Sequence, residues 1–333
     1  MWRKSLIFIL AMVSVGSMLT QPALGKEYPT KPIEVIVPYT PGSSLDLLSR
    51  IVADTAPNYL GQSVIVVNTP GAGGSIAAAE IIASKPDGYK LFTTSNNFFA
   101  FTTKTQKVPF NPSYLTPIVN FTQFRVGICV RGDSPWKTFN DLLDYAKKNP
   151  GKLRWAHIGR GTVAHVPFAF IFKKAGVETI DVPYKGTPEF VAALLGGHVD
   201  AFIISWAGIR DHVIAGNIRY LTFVSDKRYR DIGDPRFSIL YDIPSVAELG
   251  FPEVAPLITT IGFYAHKDTP EEARKILFDA FKKTYEDPGW HKRVEKLGDE
   301  FKFGGPEFMK ESIKRSEEIS IPLLKEMGLY VGK

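Results

Sequence analysis

Ile33-Glu34-Val35-Ile36-Val37-Pro38-Tyr39-Thr40-Pro41-Gly42-Ser43-Ser44-Leu45-Asp46 decides how this chain is built. The β-branched run Ile33–Val37 reads as a buried strand, Pro38 breaks it, and a helix restarts near Ser43. The turn between them is short and carries no carboxylate. A strand feeding a helix N-terminus across such a turn presents unpaired N–H groups and the positive end of a helix dipole, which suits an anion. The turn lacks the Gly-Lys-Ser/Thr ending of a P-loop, which disfavours a nucleoside triphosphate.

Outward from it, strand and helix patterns alternate. Strands are expected at 33–37, 64–67, 90–94, 126–130, 153–156, 179–182, 200–204, 220–224 and 260–265. Leu45, Leu48, Ile51, Val52 and Ala56 form the apolar face of the first helix, which Pro57 stops. Thr187-Pro188-Glu189 reads as an N-cap with a first-turn proline, Thr269-Pro270-Glu271-Glu272 as a capping box, and 306–327 as a helix interrupted at Pro322. Such alternation indicates α/β architecture with mostly parallel sheets, and the length suits two domains. With no low-complexity linker, the chain is expected to cross between domains through strands, near Phe124 and back near Ile243.

The N-terminus carries Arg3 and Lys4, the apolar run Leu6–Val13 and then Ala23-Leu24-Gly25, the three parts of a secretory signal peptide at 1–25. The expectation is a periplasmic chain from Lys26, with no cysteine there to take a lipid anchor. The single cysteine, Cys129, sits in a strand-like run and reads as a core residue. The net charge of +6 at pH 7 is spread among acids, which argues against nucleic acid as a partner.

Two further turns bear on function. Asn68-Thr69-Pro70-Gly71-Ala72-Gly73-Gly74-Ser75 opens a short helix and reads equally as an anion site or a tight turn. Gly159-Arg160-Gly161-Thr162-Val163-Ala164 follows a strand and opens a helix, with Asp181 about twenty residues on, the outline of a dinucleotide fingerprint. A dinucleotide-dependent oxidoreductase is therefore the alternative reading, weakened by the internal position of the unit and by the export signal. The six histidines form no HExxH pair and no Gly-x-Ser-x-Gly elbow exists, so nothing compels an enzyme.

These segments resemble the exported solute-binding proteins of tripartite tricarboxylate transporters, the Bug family. Tyr28-Pro29-Thr30-Lys31-Pro32-Ile33 is similar to the mature N-terminus, and Val37 to Asp46 to the first ligand loop. Asn68 to Ser75, Pro86-Asp87-Gly88-Tyr89, Pro150-Gly151-Lys152-Leu153, Gly159-x-Gly161-Thr162-x-x-His165, Val182-Pro183-Tyr184-Lys185-Gly186 and Leu195-Gly196-Gly197-His198-Val199-Asp200 continue the match. The resemblance implies an α/β, two-lobed periplasmic-binding-protein fold (type II-like), each lobe a mixed, mostly parallel sheet flanked by helices, with the cleft between lobes. The lobes expected are 26–124 plus 244–333, and 125–243. It further implies a non-catalytic monomer that captures a small organic acid and delivers it to the membrane permease of a tripartite transporter; a ligand-sensing partner of a membrane kinase shares the same site. No cofactor and no metal are expected.

The ligand-binding set expected is Tyr39, Thr40, Gly42, Ser43, Ser44, Asp46, Asn96, His157, Arg160, Gly161, Thr162, His165, Tyr184, Asp200 and Ser205, with the Thr162 hydroxyl on a carboxylate. Four positions depart from the family pattern: Thr40 stands where proline is usual, Ser43 where glycine is, Thr69 where arginine is and His157 where serine is. Arg160 reads equally as the partner of a second carboxylate or as a solvent-facing loop residue. Phe98, Phe99 and Trp206 at strand ends read equally as an aromatic sandwich or as lobe packing.

Overall fold

β1 (Ile33–Val37) is buried on both faces, which a strand achieves only inside a sheet covered on both sides. In this computed structural model, which describes residues 28–331, it pairs in parallel with β2 (Val64–Asn68) and β3 (Lys90–Ser95). β4 (Leu115–Phe124), β10 (Thr259–His266) and β11 (Glu300–Gly304) complete the first sheet, in the order β11-β4-β10-β3-β1-β2. The second sheet joins β5 (Val126–Arg131), β6 (Leu153–His157), β7 (Thr179–Pro183), β8 (Ala201–Ser205) and β9 (Ile218–Phe223) in the order β7-β6-β8-β5-β9. β10 and β11 run against the other strands of the first sheet, and only β5 runs against the rest of the second. Both sheets are flanked by helices, giving the two-lobed α/β fold. The signal segment 1–25 lies outside the described residues.

β4 and β11 go beyond the strands expected from sequence. Pro117 inside β4 argues against a strand, yet it sits at a register shift opposite Tyr264, where the missing N–H is tolerated. Glu300-Phe301-Lys302-Phe303 lies among charged helices, and only its place at the sheet edge makes that alternation a strand.

Three helix-end readings are corrected. Gly186, in extended backbone, takes the N-cap position before the helix Thr187–Leu195, so Thr187 is its first residue and caps nothing. Thr269 forms no capping box, because the helix Glu271–Glu286 starts after Pro270 and the Thr269 hydroxyl is buried without a partner. The helix Pro306–Glu326 runs unbroken through Pro322, held by Leu323 and Leu324 in the core and by Ser320 Oγ donating to Ala100 O at 2.8 Å.

Arg125 alone separates β4 from β5, so the chain passes from one sheet to the other through one buried residue. Its guanidinium pairs with Glu300 and lies 5.9 Å from the Tyr229 ring centre. The carboxyl ends of β1, β6 and β8 face one another across the resulting cleft, as the cavity described below requires.

Candidate functional site

The first loop is fastened before it can bind anything. Ser43 caps the helix Ser44–Thr55, accepting from the Asp46 N–H at 3.4 Å. The buried Asp46 carboxylate accepts from Gly42 N at 2.8 Å, Asn68 Nδ2 at 2.9 Å and Arg50 Nε at 3.0 Å. Burial alone would raise its pKa, but the Arg50, Gly42 and Asn68 donors outweigh it and hold the carboxyl below the usual range. Gly42 has φ +84°, and a Cβ there would sit 3.3 Å from Pro188 of the other lobe. Asp46 is therefore an anchor of the loop, and the N–H groups of Ser44 and Leu45 find no acceptor among the described residues.

The second loop is fastened by histidines. The Gly159 N–H donates to His157 Nδ1 at 3.0 Å, which places the imidazole proton on Nε2, 3.0 Å from Asp181 Oδ2. Gly161 N donates to His165 Nδ1 at 3.3 Å, and the His165 ring stacks on Trp155 at 5.5 Å. Arg160 forks onto Asp181 at 2.6 and 3.0 Å. Burial opposes ionisation of Asp181, but Arg160 and His157 bring its pKa down to about 2. Burial first, then the neighbouring His157, pushes His165 down to about 4; burial also lowers His157.

His157, His165 and Asp181 offer donor atoms within 4.8 Å of one another. Both Nδ1 atoms accept backbone N–H groups and the Arg160 cation sits on Asp181, so the cluster is an internal hydrogen-bond network rather than a metal centre. The same pairing corrects the dinucleotide reading, since the acid that would face a ribose is already held by Arg160 and His157.

Between the loops lies a cavity of about 30 Å³, room for a water or two. The first lobe lines it with Tyr39, Ser43, Ser44, Leu45 and Phe124. The second contributes Val126, Ile158, Val163, Ala164, Thr187, Ile204 and Ser205. Ser44 Oγ and Ser205 Oγ meet across it at 3.1 Å. Thr102 Oγ donates to Gly161 O at 3.3 Å and Gln106 Nε2 to Arg160 O at 3.1 Å, so the lobes are shut on each other. The N–H groups of Val163, Ala164 and Thr187 also lack acceptors among the described residues. Five such donors and five hydroxyl-bearing side chains in one cavity wall make a receptor for an anion with several acceptor lone pairs.

Of the residues expected at the site, Tyr39, Ser43, Ser44 and Ser205 line this cavity. Gly42, Asp46, His157, Arg160, Gly161 and His165 hold the loops from behind. Thr40 lies at the lobe contact against Gly186, its hydroxyl buried without a partner. The Thr162 hydroxyl donates to Gly159 O at 2.8 Å, a loop fastening where a ligand contact was expected. Tyr184 donates its N–H to His157 O and packs on Phe190.

Two residues fall elsewhere. Asn96 donates to Ile258 O, Ser312 Oγ and Ser316 Oγ and lines a separate pocket with them. Asp200 precedes β8, at the opposite end of that strand from Ser205, and is taken up by Arg154 at 2.9 and 3.1 Å. Of the two readings of the aromatics, the structure shows lobe packing: Phe98 and Phe99 pack in the first lobe against Phe92 and Tyr264, and Trp206 is buried beside Tyr220. Sequence reasoning anticipated the backbone donors at the two helix starts but missed the apolar wall and Thr187. Ile158 follows β6 by one residue, but Val126 opens β5, Ile204 lies inside β8 and Thr187 opens a helix, so no shared local signal marks them. The Asn68–Ser75 turn packs against the second loop, since a Cβ on Gly73 would meet Thr162 at 3.3 Å.

Comparison with known proteins agrees with the two-lobed fold. The pattern of the tripartite tricarboxylate transporter family receptor matches residues 48–329. A Cupriavidus necator protein, described as the UPF0065 protein in the gbd 5' region, is 33% identical over 98% of this chain and 96% of its own. The periplasmic binding protein BugD superposes with a TM-score of 0.82 at 27% identity, over 91% of this chain and 99% of that one. An R. palustris protein solved with adipate has a TM-score of 0.80 at 24% identity, covering 90% and 98%, a likeness of fold.

Proposed function

Because the chain belongs to the tripartite tricarboxylate transporter receptor family, a family of solute-binding receptors rather than enzymes, we propose that it captures a small organic acid and delivers it to a transporter of that class. The ligand is held between two lobes, 26–124 plus 244–333 and 125–243, in a periplasmic chain released from the signal segment 1–25. The observation that carries the reading is the set of acceptorless N–H groups at Ser44, Leu45, Val163, Ala164 and Thr187 around the Ser44–Ser205 hydroxyl pair. A carboxylate, with about four lone-pair sites on two oxygens, accepts charge-assisted bonds from several of them at once, and only in the closed form do both lobes contribute. Delivery follows from closure, since a permease can distinguish the shut, loaded receptor from the open one.

The test is a thermal-shift screen of the mature chain against mono- and dicarboxylates, citrate-like acids, aromatic acids and nicotinate, with a nicotinamide dinucleotide as comparison. An acid at a hundred times its Kd adds about 2.7 kcal/mol. A shift with the dinucleotide and with none of the acids sinks the proposal.

A further inference from the structure

The wall behind the hydroxyls says what kind of acid fits. Leu45, Phe124, Val126, Ile158, Val163 and Ile204 are all apolar, and among the described residues no lining side chain is a lysine, arginine, histidine or carboxylate. The Tyr39 phenol is kept neutral by burial. The cations of both loops are engaged outside the cavity, Arg50 on Asp46 and Arg160 on Asp181. Positive potential therefore comes from helix N-termini alone. The helices starting at Ser44, Val166 and Thr187 supply about half an elementary charge each. Glu189 in the first turn of the third offsets part of its share, accepting from Lys185 N at 3.0 Å. The sum balances one carboxylate and not two.

A second carboxylate on the same ligand would be buried against isoleucine and valine with no counter-charge, a state that proteins avoid. We infer, building on the carboxylate-receptor reading above, that the ligand is a compact monocarboxylate with an apolar body. Ile158, Val163 and Ile204 are the residues that exclude diacids.

Calorimetry on the mature chain decides this with two matched pairs, butyrate against succinate and benzoate against terephthalate. In whichever pair binds, the monoacid is expected to bind at least about 100-fold more tightly. A diacid that matches or exceeds its monoacid overturns the inference and leaves the carboxylate receptor standing; no binding by any of the four overturns the inference, and the carboxylate receptor falls with it only if the wider acid screen is also empty. The variant Ile158→Lys supplies the missing charge from a half-buried loop position. It is expected to narrow the butyrate–succinate gap by at least about tenfold. An unchanged ratio in a folded variant removes Ile158 from the excluding wall and refutes its assignment.

Discussion

His165 is expected to make this protein less stable in mild acid. Its folded pKa is about 4 against an ordinary 6.5, because burial and His157 disfavour the imidazolium. A histidine depressed in the folded state contributes no penalty above its unfolded pKa and an increasing one as pH falls from 6.5 toward 4. Between pH 8 and pH 5 that amounts to about 2 kcal/mol. The groups facing it are His157, shifted in the same direction, the permanent cation Arg160, and Asp181, whose pKa near 2 places its own loss below this window.

A second buried group works against it. Asp299 is raised to about 7 by burial, so its folded form takes up a proton readily and it favours folding as pH falls through 7. The parent profile is therefore a partial cancellation, and a variant has to separate the two. His165→Asn keeps an acceptor at the Nδ1 position for Gly161 N–H but cannot titrate. It loses stacking on Trp155, about 1 kcal/mol. The variant should be less stable than the parent by about 1 kcal/mol at pH 8 and more stable by about 1 kcal/mol at pH 5. Urea unfolding followed by tryptophan fluorescence at both pH values reads this directly. A stability difference that is the same at pH 8 and pH 5 would falsify the titration argument.

Other expectations follow from the same geometry. Ser205→Ala removes one hydroxyl of the pair that bridges the lobes, and affinity for the cognate acid should fall by roughly 1–2 kcal/mol in calorimetry, with unfolding midpoint little changed; unaltered affinity would remove Ser205 from the site. Asp46→Ala leaves Gly42 N–H and Asn68 Nδ2 without their acceptor, costing about 2–3 kcal/mol in urea unfolding; a loss under 0.5 kcal/mol would contradict its anchoring role. Gly161→Ala strains a residue at φ +72° and drives a methyl into Thr105 of the other lobe. Small-angle scattering should show a larger radius of gyration with saturating ligand than the parent has, and an identical radius would refute the clash.

The two ligand loops were legible because strand, turn and helix start are local events. Pro38 and Gly42 fix the first, and Gly159 at φ +128° with Gly161 at φ +72° permits the second. The Thr162 and Asp200 roles were misread for the same reason. Sequence places a hydroxyl in a ligand loop, but only packing shows that Gly159 O takes it. Likewise Asp200 precedes its strand by one residue, and the strand's direction then carries it away from the cleft. His157, one of the departures from the family pattern, accepts from the Gly159 N–H and pairs with Asp181 rather than facing a ligand.

By itself the sequence determined the class of protein: alternating strands and helices with anion-competent turns at helix starts, short-range features set by residues a few positions apart. Tertiary structure decided the rest. Which N–H groups stay without acceptors, which cations are already paired and which apolar side chains close the cavity all depend on residues distant in the chain, as Ser44 and Ser205 are. Binding chemistry in the cleft is a sum over such long-range neighbours, and no local pattern encodes that sum.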